Sequence, residues 1–194
     1  MTREVHDALK DLGLSFQNRY TGSNWAPDLV AKTDDGTRIV IEVKSRDIAA
    51  PDVFAVASTT SSGSFAGRSA SGAIISDQPA YRSIASIANE NNVILLTIGR
   101  PEELKPKLRF LEIIARIETI LRQMSNSSSE KSVPDVVESL TDSRRMSPDL
   151  RNRVLNLWRI RGKLAHYTER DEEFDEGANN DAQAVLNDLR IALK

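Results

Sequence analysis

Arg38-Ile-Val-Ile-Glu-Val-Lys44 is the clearest strand in this 194-residue chain. Its β-branched interior suits a pleated, buried surface, and its far end carries two charges that a purely structural strand would not need. Glu42 and Lys44 are two residues apart, so their side chains leave the same face while Val43 leaves the other. Just upstream, Asp34-Asp35-Gly36 has the composition of a hairpin turn, and Trp25 to Ala31 is a strand candidate. Folding these two strands together brings Asp28 toward Glu42. The result is a pair of carboxylates able to hold one hard cation with water completing its shell, with Lys44 placed to orient a water or stabilise charge developing on a phosphate. The alternative is a solvated strand end bearing a Glu–Lys surface pair of little energetic weight.

The pattern around this segment alternates. Val5, Leu9 and Leu12 share one helical face over residues 3–12, and Gly13 supplies a stop. A weak helix is expected after Pro51 through Ala57, then a mobile Ser/Thr/Gly-rich loop from Ser58 to Gly72. Gly72 to Ser76 reads as a strand, Ala80 to Asn89 as a helix with Ile84 and Ile87 inward, and Val93 to Ile98 as a buried strand. Everything beyond Leu104 reads as helix or polar linker. Lys107 to Met124 repeats apolar residues at steps of three and four, SNSSSEKS at 125–132 is a linker, and a short helix surrounds Val136 to Leu140. Another helix starts with Ser147 as N-cap and Pro148 in its first turn, and a last one covers Asp181 to Leu193. The acidic ERDEEFDE at 169–176 is expected to be a solvated loop. The chain is therefore expected to be α/β, a mixed sheet flanked by helices over residues 1–104, followed by an all-α bundle over 105–194.

Composition removes several classes of chemistry. There is no cysteine, so disulfides, thiolate nucleophiles, iron–sulfur clusters and cysteine-based zinc sites are excluded, and a reducing compartment is expected. With two histidines far apart, His6 and His166, a metal site must be built mainly from carboxylates, which suits Mg2+ or Mn2+. The charged opening MTREVHDALKDLG lacks an apolar signal-peptide core, and no run approaches the ~20 apolar residues of a membrane span, so a cytoplasmic protein with no membrane partner is expected. Net charge is −2, and a nucleic acid would have to be met by a local patch. Such a patch exists between Ser143 and Lys163, where seven basic residues face the single acid Asp149.

Ala26-Pro-Asp-Leu-Val-Ala31, the Gly36 turn and Ile39-Val-Ile-Glu-Val-Lys-Ser-Arg46 together resemble the PD-(D/E)xK nuclease superfamily, especially Mrr-type restriction endonucleases and archaeal Holliday junction resolvases. Gly72 to Ser76, the helix after it and Val93 to Thr97 resemble the later elements of that fold. The resemblance implies that Asp28 and Glu42 are metal ligands, the Val43 main-chain carbonyl is a further ligand, and Lys44 is the catalytic lysine. It also makes Glu4 on the first helix a candidate ligand. The chain departs from the family in having neither glutamine nor tyrosine in the helix after the lysine strand, Asp52 to Thr60, where Ser45 and Arg46 are the nearest substitutes.

Trp158-Arg-Ile-Arg-Gly-Lys-Leu-Ala-His166 resembles the Arg-x4–6-His motif of HEPN domains, as does the helical layout of residues 105–194. That resemblance implies a metal-free ribonuclease pair, Arg161 and His166, usually at a dimer interface, or else a bundle that serves only for dimerisation. Five helical steps set the two residues about 140° apart, so joint action needs a helix break near Gly162 or two subunits.

Together these readings give a Mg2+-dependent endodeoxyribonuclease, dimerised through its helical half and acting in defence against foreign DNA. The alternatives are a HEPN-type ribonuclease effector or toxin, and a non-catalytic nucleic-acid-binding or assembly module.

Overall fold

The computed structural model describes residues 1–16, 27–61, 70–126, 131–164 and 176–193. Among them the chain is α/β, with five strands in one mixed sheet and seven helices. The strands are β1 (Ser15–Phe16), β2 (Leu29–Lys32), β3 (Arg38–Lys44), β4 (Ala70–Ser76) and β5 (Val93–Thr97), in spatial order β1-β2-β3-β4-β5. β1, β2 and β3 pair antiparallel, and β3, β4 and β5 pair parallel. The helices are α1 (Thr2–Asp11), α2 (Ala50–Ser61), α3 (Arg82–Glu90), α4 (Pro101–Ser125), α5 (Val133–Asp142), α6 (Pro148–Leu164) and α7 (Glu176–Ala192).

β3 is central and buried on both faces. Ile39 and Ile41 point into a core shared with α1 and α4, while Val40 points into a second core with Val53 and Val56 of α2 and Ala85 and Ala88 of α3. Ile39, Val40 and Ile41 are all fully buried, each stabilising the fold by about 1.5–3 kcal/mol relative to exposure. The first core does not stop at the sheet. It runs through Leu108, Leu111 and Ile114 of α4 into Val136 of α5, Val154 of α6 and Val185 of α7. α4 is buried nearly all round because it is sandwiched between the sheet and the other helices. Its first turn begins at Pro101, close to where the sequence changes character.

The hairpin joining β2 to β3 is locked by its turn. Gly36 has φ +88°, a conformation open to glycine, and Thr33 N–H donates to the Thr37 carbonyl at 3.0 Å. The Asp35 carboxylate accepts from the Thr33 hydroxyl at 2.6 Å and from Thr37 N–H at 3.2 Å. Two arginines then fasten this turn to the helices. Arg116 of α4 pairs with Asp34 and Asp35, and Arg190 of α7 with Asp35. Partial burial works against the charged Asp35, but the Thr33 and Thr37 hydrogen bonds and the Arg116 charge outweigh it and hold the carboxyl down at about 2.

One expectation is corrected. Ser58 to Ser61 belong to α2 and Ala70 to Gly72 to β4, so the expected loop is shorter; its middle, residues 62–69, lies outside the described residues. The helix continues because Val53 and Val56 bury against the sheet, and Gly72 lets α2 approach closely: a Cβ there would lie 2.6 Å from Val56 Cγ1. In α3, Ala85 and Ala88 are the buried residues, flanked by the partly buried Ile84 and Ile87. Small side chains let that helix lie close on the sheet. The acidic 169–175 and the strand candidate's first residues, Trp25 and Ala26, lie outside the described residues.

Gly72→Ala is expected to destabilise the fold by about 1–3 kcal/mol through overpacking against Val56, measured by chemical denaturation. Asp35 has a folded value below its unfolded value near 3.9, so its contribution is present above about pH 4 and is lost as pH falls toward about 2. The Tm gap between wild type and Asp35→Asn should therefore narrow over that window.

Candidate functional site

The antiparallel register Leu29↔Ile41 continues one step to set Asp28 opposite Glu42. Side chains of Asp28, Glu42 and Lys44 therefore leave the sheet on the face covered by α2, at the C-terminal edge of the parallel strands. That edge is where open α/β sheets commonly place their ligand crevice. Glu42 is 6% exposed and sits at the bottom of the cluster. Its Oε2 accepts the Asp28 N–H at 3.3 Å, and the Val43 N–H donates to Asp28 Oδ2 at 2.8 Å. Each carboxylate is thus fixed by the other strand's backbone.

Lys44 bridges two acids. Its Nζ donates to Glu42 Oε1 at 2.6 Å and lies 3.1 Å from Asp52 Oδ1. Asp52 stands in the first turn of α2, where it also accepts from the Ala49 N–H at 2.9 Å and from both terminal nitrogens of Arg46 at 2.8 and 3.1 Å. The sequence gives one signal for Asp52, an acid in the first turn of the helix that follows the lysine strand. The region lacks a glutamine or tyrosine, and the structure puts the Asp52 carboxylate on the lysine, with Arg46 bound to Asp52.

The protonation balance of this cluster is uneven. Burial, reinforced by the Asp28 charge, pushes Glu42 up against the opposing pull of Lys44. Burial works against the Lys44 ammonium, but hydrogen bonds to Glu42 and Asp52 outweigh it and raise its pKa. Burial likewise opposes ionisation of Asp52, which the Ala49 N–H, Arg46 and Lys44 overcome to hold it below its usual value. The ion pair is asymmetric because Lys44 has two anions whereas Glu42 has one cation and a neighbouring anion.

Two oxygen donors, of which Glu42 is pushed toward its neutral form by burial and further by the neighbouring Asp28 charge, form a set that a divalent cation would stabilise. One or two carboxylates with water and substrate oxygens is an ordinary environment for Mg2+. Asp28 and Glu42 fit that role. Glu4 is not brought to them: it is exposed on α1 and pairs with the N-terminal amine at 3.0 Å. Among the described residues no three histidine or carboxylate side chains come together as a metal-holding group.

In the helical half, α6 runs unbroken through Gly162 to Leu164, so among the described residues the expected helix break near Gly162 is not seen. Arg161 is 3% exposed, with its guanidinium over the Trp158 ring at 5.2 Å. His166 lies outside the described residues. Among the described residues no helix is long and apolar enough to cross a membrane. Comparison with protein families, characterised proteins and solved structures finds no match to this chain.

With metal chelated at pH 7, Glu42→Gln should melt at or above wild type, because a raised carboxyl contributes stability that is lost as pH rises through its folded value. Asp52→Asn should have the opposite sign and lose about 1.5–3 kcal/mol, the range for hydrogen bonds to a charged group. The Asp52 contribution should fade as pH falls below its unfolded value near 3.9. Parallel thermal melts across pH measure both.

Proposed function

We propose that the protein is a metal-dependent nuclease hydrolysing phosphodiester bonds of DNA, with Asp28 and Glu42 as ligands of Mg2+ or Mn2+, assisted by the Val43 carbonyl, and Lys44 as the catalytic cation. The observation that carries this reading is the buried Glu42 facing Asp28 across a hairpin, with a lysine ammonium on its free oxygen. That arrangement supports the PD-(D/E)xK resemblance of residues 26–46, and a five-stranded mixed sheet with helices on both faces agrees with it in general form. When bound, the cation would act as Lewis acid and water activator. The protein's own residues do the rest. Asp28 and Glu42 hold two anionic oxygens at fixed positions, and the backbone N–H groups of Asp28 and Val43 keep them from rotating away.

Lys44 has a second anchor, so it can release Glu42 and remain charged on Asp52. On this reading Asp52 positions Lys44, and Lys44 is the group that meets the scissile phosphate. A fixed cation placed where negative charge develops needs no reorganisation during the reaction. The helical half is read as a HEPN-like dimerisation unit. Ile191 and Leu193, exposed near the end of α7, are apolar side chains that such an interface would cover. A role in defence against foreign DNA follows from the two resemblances alone.

The test is cleavage of end-labelled duplex DNA, single-stranded DNA and RNA in Mg2+, in Mn2+ and in chelator. DNA cleavage that requires metal is expected, and Glu42→Ala and Lys44→Ala should each lower the rate by about 100- to 1000-fold with the fold retained by circular dichroism. Wild-type rates in both variants would remove the assignment. Metal-independent RNA cleavage leaving 2′,3′-cyclic phosphate ends would move the chemistry to Arg161 and His166, and binding without cleavage in any metal would leave a nucleic-acid-binding module.

A further inference from the structure

A cavity of about 730 Å³ lies where α6 packs beside β5, the edge strand, and α3. It is separate from the carboxylate cluster and combines residues of both halves of the chain. Arg161 lines it from α6. The Nε and Nη2 of Arg161 are closed off from solvent and, among the described residues, have no hydrogen-bond partner. These two N–H groups share one edge of the guanidinium, the edge that grips a carboxylate or phosphate through parallel hydrogen bonds.

The Arg161 charge is also incompletely balanced. The acid it feels is Glu118 of α4. Glu118 is already occupied, accepting from Arg122 Nε and Nη2 at 3.0 and 2.6 Å and from the Ser71 hydroxyl at 3.2 Å. One buried carboxylate thus serves two buried guanidiniums, and an unpaired buried charge is strongly destabilising. Arg82 and Arg159 line the same cavity against one acid, Glu90. Ser132 adds the N-terminal end of α5, whose Asp135 N–H it caps. Trp158 supplies an aromatic wall.

We propose that this cavity binds a small phosphorylated ligand of nucleotide size, its phosphate taken by the Arg161 guanidinium once that side chain turns its enclosed Nε/Nη2 edge into the cavity. Three arginines against one glutamate favour a multiply charged phosphate over a monocarboxylate. The volume falls within the ~300–1,000 Å³ of ordinary small-molecule sites. The proposal is independent of the nuclease reading, because it involves neither the hairpin carboxylates nor a metal.

The experiment titrates the full chain in chelator with inorganic phosphate, ATP and adenosine, following Tm and the heat of binding. Saturable binding of phosphate and tighter binding of ATP are expected, with no response to adenosine. Arg161→Met keeps the length of the side chain and removes its charge. It should weaken phosphate and ATP by about 10- to 100-fold. Its ligand-free Tm should equal or exceed that of wild type, because an unpaired buried charge has been removed. Arg161→Lys, which keeps the charge without the planar fork, should also lose affinity, and it decides the matter if Arg161→Met fails to fold. Absence of saturable binding by phosphate and ATP, or unchanged affinity in the folded Arg161 variant, would overturn the proposal. So would binding of DNA or RNA oligonucleotides alone, which would make this face a nucleic-acid groove.

Discussion

Burial of both faces of β3 is the constraint on which the rest of the molecule depends. A central strand with helices above and below has no solvated side for polar residues, so any charge on it must be paired or lie at its end. Both conditions are met at Glu42 and Lys44. The strand is apolar from Ile39 to Ile41, and its charges begin at its far end, just before α2 begins to cover it. The same constraint accounts for Asp52. A lysine brought to the mouth of a buried sheet is stabilised by a second anion, and the first turn of α2 is the nearest backbone that can supply one.

The helices apply similar accounting farther down the fold. Glu112 on α4 is 3% exposed and pairs with Arg109 and Arg116, and Glu118 one face along pairs with Arg122. These ion pairs let one long helix carry charge while almost wholly enclosed. Arg116 then reaches outward to the hairpin turn, so the element that fills the core also fixes the register placing Asp28 against Glu42. Among the described residues, Arg161 is the member of this series left without a hydrogen-bonded carboxylate.

Much of this was legible in the chain itself. The β-branched run of residues 39–41, the Asp-Asp-Gly turn and the two-residue spacing of Glu42 and Lys44 are local signals, and strand periodicity carries them directly into geometry. Likewise Ser147 caps α6 as its position before Pro148 predicts, accepting from the Leu150 N–H at 3.2 Å. What sequence could not supply was tertiary. Asp52 reaches Lys44 because of the turn between β3 and α2, and α2 extends past Ala57 because Gly72, far along the chain, leaves room for it. In α3 the expected inward residues Ile84 and Ile87 do pack against the core, with the smaller Ala85 and Ala88 buried more completely beside them.

The contact between Asp35 and Arg190 also has a meaning for biosynthesis. The two residues are 155 positions apart. A ribosome adding about 5–20 residues per second emits the hairpin early and Arg190 many seconds later. The turn can close locally at once through Thr33 and Thr37, yet its clamp to α7 forms only after the sheet and most of the bundle have been made. Meanwhile the sheet face that α4 covers waits for residues 101–125. The nascent chain therefore passes through an interval with an apolar face uncovered, in which the buried acids and arginines of α4 have not yet met, and it is during this interval that a folding helper would have most to hold.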